Sequence, residues 1–106
     1  MDVRTDVQVT DAPERSRYEA RIGEDLVGYT EYRRNDGTIM LAHTEVEEEI
    51  RCTGVGTALL RTILDEARAH GRSVEPVDPF VAGWIERHPE YADLLTEEAP
   101  HLGEDA

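Results

Sequence analysis

Apolar and polar positions alternate along the first half of the chain, then change period. Val3 to Val9 alternates and predicts a first edge strand closed by the turn-like Asp11-Ala12-Pro13. Arg17 to Ile22 puts Tyr18, Ala20 and Ile22 on one face, and Gly23-Glu24-Asp25 reads as a hairpin connection. Leu26 to Arg33 continues as a strand, with Val27 and Tyr29 on one side and Gly28 and Tyr32 on the other. Asn35-Asp36-Gly37 is the strongest turn signal, because these residues tolerate positive φ. Thr38 to Val46 follows as a strand and completes an antiparallel meander. From Gly54 to His70 the apolar spacing becomes helical: Val55, Leu59, Ile63 and Ala67 lie four apart, with Leu60 and Leu64 beside them. Arg61 and Asp65 are placed to pair on the exposed side, and Gly71 suits the helix C-terminus. Ser73 to Val77 predicts a short strand which, after a single helix, lies most simply parallel to Thr38 to Val46 through a right-handed crossover. Asp78 and Pro79 suit the N-cap and first position of a second helix carrying Phe80, Trp84 and Ile85, which His88-Pro89 ends. Tyr91 to Leu95 predicts one more helical turn, and the acidic tail 97–106 is expected to fray. The pattern describes one α/β domain of the α+β kind over residues 1–106.

Composition restricts the partners. The chain has 106 residues and a formal net charge of -13, and its 11 basic residues are all arginine. Such acidity argues against general affinity for nucleic acid or anionic membrane. The excess is spread along a lysine-free chain, which favours a solvated acidic surface of the kind used at high salt over a surface built for a cationic substrate. Cys52 is the one cysteine, so no bridge forms within the chain, in keeping with a reducing compartment. No apolar run is long enough to span a membrane, and Met1-Asp2-Val3-Arg4 lacks the basic and apolar regions of a signal peptide. A cytoplasmic protein is expected. His43, His70, His88 and His101 have no ligand-like spacing around Cys52, so no metal is expected either.

The candidate chemistry begins at the turn Arg51-Cys52-Thr53-Gly54-Val55-Gly56. Two glycines before a helix let backbone N–H groups approach an anion at the positive end of the helix dipole. A Walker A loop is excluded, because Gly56-Thr57-Ala58 stands where Gly-Lys-Ser/Thr is required. The dinucleotide fingerprint matches only Gly54 and Gly56; its third small residue falls on Leu59, and there is no second nucleotide-binding half. Arg51-x-x-Gly54-x-Gly56 instead resembles the coenzyme A pyrophosphate loop of GNAT acetyltransferases, Gln/Arg-x-x-Gly-x-Gly/Ala. A strand-to-helix turn that simply needs glycine is the plain alternative.

Three further motifs extend the likeness: His43-Thr44-Glu45-Val46, Pro76-x-x-Pro79-Phe80 and His88-Pro89-Glu90-Tyr91. In this order and spacing, from about Tyr18 to Leu95, the chain resembles the short GNAT-like N-acetyltransferases, a minimal GNAT fold without the N-terminal helices of larger members. The resemblance implies a strand meander, a βαβ crossover and a C-terminal helix. It implies acetyl-CoA in the splay between the strands Thr38 to Val46 and Ser73 to Val77. Backbone N–H groups of Cys52, Thr53, Gly54, Val55, Gly56 and Thr57 would hold the pyrophosphate with Arg51 nearby, and Val46 would bond the pantetheine arm.

Acetyl transfer to an amine requires a neutral nitrogen, so a group or water chain must take a proton. His43 and Glu45 share a strand face and are candidates; a histidine satisfied within the sheet and a structural glutamate are the competing readings. Tyr91 is a candidate proton donor by the resemblance, or else only packs the helix end. The family usually reads Pro-x-Cys-Pro-Phe where this chain has Pro76-Val77-Asp78-Pro79-Phe80, so an acetyl-cysteine route is closed here. Asp78 is then a base, an amine-binding group or simply a helix cap. The expected function is acetyl transfer from acetyl-CoA directly to a small-molecule or peptide amine. A non-catalytic acyl-CoA-binding or regulatory module is the alternative, and a pure interaction domain would leave the glycine loop without a task.

Overall fold

The structure, a computed structural model, describes residues 7–35, 37–47 and 54–95. Five strands form one sheet in the order β1-β2-β3-β4-β5: β1 Val7–Ala12, β2 Arg17–Ile22, β3 Asp25–Arg34, β4 Thr38–Val46 and β5 Ser73–Pro76. The first four are antiparallel neighbours and β5 runs parallel to β4. Helix α1, Val55–Ala69, crosses between β4 and β5, and α2, Pro79–Glu86, leads into a 3-10 segment, Pro89–Leu94. The meander, the crossover and the C-terminal helix agree with the sequence reading.

The first strand runs past its expected end at Val9 through Ala12, because Asp11 and Ala12 pair with Tyr18 and Arg17 of β2. Residues 1–6 and the acidic tail lie outside the described residues. Gly23 takes the β2–β3 turn at φ 63°, a conformation glycine adopts without steric cost. At the β3–β4 turn, the Asn35 side chain accepts from the N–H groups of Gly37 and Thr38 at 3.3 and 3.1 Å.

One face of the sheet packs against α1. Leu59, Leu60, Ile63, Leu64 and Ala67 are buried there with Tyr18, Ala20, Ile39, Leu41 and Val74. The helix ends in a Schellman arrangement, with Arg72 N–H on Ala67 O at 2.8 Å, Gly71 N–H on Arg68 O at 3.2 Å, and Gly71 at φ 70°. Arg61 and Asp65 do not pair as their spacing suggested. Tyr91 Oη donates to Asp65 Oδ1 at 2.9 Å, and Arg61 lies 4.0 Å from Glu90. A partly buried tyrosine hydroxyl requires an acceptor, whereas a surface i,i+4 pair contributes little.

The opposite face carries an inward charge. Alternation puts Glu19 across from Tyr18 and Ala20, yet Glu19 is only 2% exposed. Arg15, Arg17 and Arg21 close over it with nitrogen-to-oxygen distances of 2.9, 2.8 and 2.8 Å. The bond from Arg15 is the strongest influence holding the Glu19 carboxyl down to about 2; burial opposes it, and Arg21 and Arg17 add to it. Because the folded carboxyl ionises at lower pH than the unfolded one, its stabilisation is present above about pH 4.5 and is lost as pH falls towards 2. Glu19→Gln is therefore expected to melt below the parent at pH 7, with the two curves converging as pH approaches 2. Thermal melts across that range check this, and a constant gap would overturn it.

Candidate functional site

The site is made where β4 and β5 part. Their pairing runs from Thr38↔Ser73 to Leu41↔Pro76, after which the N–H groups of Val77 and Asp78 both bond Leu41 O, at 3.1 and 3.0 Å. The chain then turns into α2, while β4 continues to Val46. From Ala42 onward, the edge of β4 facing β5 has no strand beside it among the described residues.

A bulge in β4 sets which side chains face the opening. Glu31 pairs with His43 but Tyr32 pairs with Leu41, so Ala42 is an extra residue. Leu41 and Thr44, three apart, consequently both face α1: Leu41 is in the core, and Thr44 Oγ1 lies 3.0 Å from Thr30 Oγ1. Val46 follows on the same side, and its side chain and that of Val55 at the start of α1 both lie over Gly28.

Helix α1 begins at this open end. Gly54 is its N-cap at φ 88°, and no side chain of the described residues caps the helix. Ala58 N–H bonds Gly54 O at 2.9 Å and closes the first turn, so the N–H groups of Val55, Gly56 and Thr57 precede the internal ladder and point out of the helix end. A cavity of about 370 Å³ lies against them. Thr44 and Val46 of β4, Gly54, Gly56 and Thr57 of α1, and Phe80, Trp84 and Arg87 line it. Trp84 Nε1 donates to Thr57 Oγ1 at 3.3 Å, and its ring stacks on His88 with centroids 3.7 Å apart. Both interactions fix the indole as one wall. The Arg87 guanidinium lies back over Gly83, 3.6 Å from where a Cβ there would sit.

Of the residues singled out in the sequence, Val46, Gly54, Gly56 and Thr57 line this cavity together, with Val55 buried just behind them. Arg51, Cys52 and Thr53 lie outside the described residues. His43 and Glu45 share the face of β4 away from α1, are exposed, and bond each other at 3.0 Å. Tyr29 approaches His43 with ring centroids 6.3 Å apart. Neither His43 nor Glu45 belongs to the cavity lining. Tyr91 is also elsewhere: its hydroxyl is held by Asp65 and its ring packs 5.7 Å from Trp84. Burial, then the bond to Asp65, raises its pKa, and this arrangement packs the 3-10 segment against α1.

Asp78 is the N-cap of α2, as the sequence suggested, with Oδ1 accepting from Phe80 N–H at 3.3 Å. Its other oxygen, Oδ2, is buried without a hydrogen-bond partner, the one such side-chain atom among the described residues. No group of three or more potential metal ligands occurs among the described residues, and no helix of theirs is long and apolar enough to cross a membrane.

Sequence reasoning did not assign Thr44, Phe80, Trp84 or Arg87 to the site. Thr44 is hidden by the bulge, which no residue type announces. Arg87 had a signal: in a lysine-free acidic chain, an arginine one turn beyond Trp84 is among few cations near the glycine turn.

A family model described as GCN5-related N-acetyl-transferase matches residues 17–94, from the start of β2 to the end of the 3-10 segment. Among solved structures, the chain is similar to a GCN5-like protein from Staphylococcus aureus, with a TM-score of 0.68 and 22% identity over 92% of this chain and 96% of that one. It is similar to the ribosomal-protein-alanine N-acetyltransferase of Brucella melitensis biovar Abortus, with a TM-score of 0.57 and 18% identity over 85% and 66%. Against Ard1 from Thermoplasma volcanium the TM-score is 0.52 and the identity 24%, over 57% of this chain and 43% of that one. At these identities the likeness is one of fold, and the chain spans less than half the length of the Ard1 structure. No curated protein matches the chain significantly in sequence.

The two glycines of the helix start differ in what they tolerate. A side chain at Gly54 is strained by φ 88°, whatever the space around it. A Cβ at Gly56 would come within 2.9 Å of Phe80 Cζ, the far end of a half-exposed ring that can move. Gly54→Ala is thus expected to cost about 1 kcal/mol and Gly56→Ala distinctly less. Urea unfolding measures both, and a larger loss at Gly56 would show that Phe80 is fixed in place.

Proposed function

The chain belongs to the GCN5-related N-acetyltransferase family, and on that premise we propose that it transfers an acetyl group from acetyl-CoA to an amine, with the cofactor in the cleft between β4 and α2. The observation that carries this reading is the cavity where a glycine helix start meets a strand edge, neither of them capped or paired by another of the described residues. An anion of pyrophosphate size suits N–H donors at the positive end of α1, and Gly54 and Gly56 keep Cβ atoms out of its way. Against a formal net charge of -13, a local cation is also required, and Arg87 supplies one in the lining. The open edge of β4 near Val46 offers backbone groups to an extended amide-bearing arm, in the manner of an added strand. Arg51, Cys52 and Thr53 complete the loop in this reading.

When bound, acetyl-CoA supplies an acetyl group activated as a thioester. The protein's part is to hold that group at the closed end of the splay, near Leu41 and Asp78, and to manage the proton of the acceptor nitrogen. His43 and Glu45, on the other face of β4, would reach an acceptor only from that side; Tyr91 would have to leave Asp65 to contribute. Because these three groups stand away from the cavity, a module that binds acyl-CoA without turnover is the second reading.

Acetyl-CoA at a hundred times its Kd is expected to stabilise the protein by about 2.7 kcal/mol, read as a rise in thermal midpoint in high salt. Arg87→Gln should weaken binding roughly tenfold without lowering the midpoint of the free protein. No stabilisation of the parent would overturn the cofactor reading. Stabilisation without release of free CoA thiol, across a panel of amines, would favour the binding module.

A further inference from the structure

We propose that Asp78 is the acceptor-side group: its free Oδ2 binds the ammonium of an incoming primary amine and takes a proton from it, and the exposed Val77 and Phe80 select amines carrying an apolar substituent. This deepens the function proposed above and rests on it.

Capping does not explain the choice of residue. A helix cap uses one acceptor, and asparagine, serine or threonine would serve as well. Here Asp78 is 7% exposed; Oδ1 fills the capping role and Oδ2 is left over. A buried polar atom without a partner is destabilising, and more so when it belongs to a carboxylate. No arginine or histidine of the described residues bonds this oxygen. Serine or threonine would cap without this leftover oxygen, so its retention is what a binding role accounts for.

Its position is the second argument. Asp78 N–H bonds Leu41 O at the closed end of the splay, opposite the helix start at Gly54. About five residues of β4, roughly 15 Å of strand, separate Leu41 from Val46. Phe80, whose N–H holds Oδ1, itself lines the cavity. Asp78 is not itself in the cavity lining; it adjoins the cavity through Phe80, at the end where an acceptor must meet an extended cofactor anchored at α1.

The chemistry balances without a further reactant. An alkylammonium gives one proton to Oδ2; its N–H bond breaks, an O–H bond forms, and the electron pair stays on nitrogen as the nucleophile. Two neutral groups then remain where two charges had been held out of water. Val77 and Phe80, 53% and 42% exposed, are the exposed large hydrophobic residues among those described, and they stand one residue before and two residues after Asp78. An apolar substituent on the amine would cover them, whereas a small or polar amine would not.

The test compares the parent with Asp78→Asn, which keeps an oxygen for Phe80 N–H, using 2-phenylethylamine and ethylamine as probes. 2-Phenylethylamine should raise the thermal midpoint of the parent more than ethylamine does, and the rise should vanish in Asp78→Asn while acetyl-CoA still stabilises it. Acetyl transfer to 2-phenylethylamine should fall at least about a hundredfold. Asp78→Ser, another capping residue, repeats the measurement should Asp78→Asn fail to fold. Equal amine stabilisation in parent and variant, none in the parent, or undiminished transfer would each overturn the proposal. If acetyl-CoA stabilises both proteins while the amine effect ignores Asp78, this inference falls alone; if acetyl-CoA does not stabilise the parent, the proposed function falls first. Val77→Ser should narrow the preference for 2-phenylethylamine, and an unchanged ratio would remove the apolar half of the proposal.

Discussion

The carbonyl of Leu41 accepts hydrogen bonds from both Val77 and Asp78, and with those two bonds the pairing of β4 and β5 ends. A strand that continued in register would cover the edge of β4 and leave no room for α2 to begin at Pro79. Because it stops, the chain rises into a helix whose first turn carries Phe80 towards the start of α1. The bulge at Ala42 is the complementary device. It turns Thr44 and Val46 to the α1 side just where β5 has left, so the cavity has a β4 wall, and it sends His43 and Glu45 to the other face.

Helix α1 is the hub to which the remaining elements are tied, and the ties are polar ends on apolar bodies. Tyr18 of β2 donates to Glu66 at 2.6 Å, Tyr91 of the 3-10 segment donates to Asp65, and Arg68 bonds Asp93 at 2.8 Å. Burial, then the bond to Glu66, raises the Tyr18 pKa, so the hydroxyl stays a donor throughout the physiological range. The tyrosine rings fill the core while their hydroxyls satisfy carboxylates at the helix margin. An abundance of acidic residues is used here as a supply of acceptors.

The fold was largely legible because its signals are local. The period change at Gly54, the Asn35-Asp36-Gly37 turn and the Asp78-Pro79 cap each act within a few residues. What was not legible depends on partners distant in sequence. Asp65 looked like a partner for Arg61 by helical spacing and is taken instead by Tyr91, 26 residues away. Glu19 is buried although it alternates with the core-facing Tyr18 and Ala20, because arginines at 15, 17 and 21 converge from a turn and one strand. At the site, the glycines could be read from sequence since their backbone freedom is intrinsic. The face that His43 and Glu45 present could not, since it depends on a one-residue slip in register. The unfilled oxygen of Asp78 was equally hidden, because a cap motif says nothing about the second oxygen.

Trp84, the single tryptophan of the chain, stands in the cavity wall with its ring on His88 and its N–H on Thr57. The protein therefore carries its own optical reporter. Indole emission responds to contact with water and to a neighbouring imidazolium, so one unlabelled signal reads both how wet the cavity is and whether His88 carries charge. Only one indole emits, so any change in that signal originates at this wall.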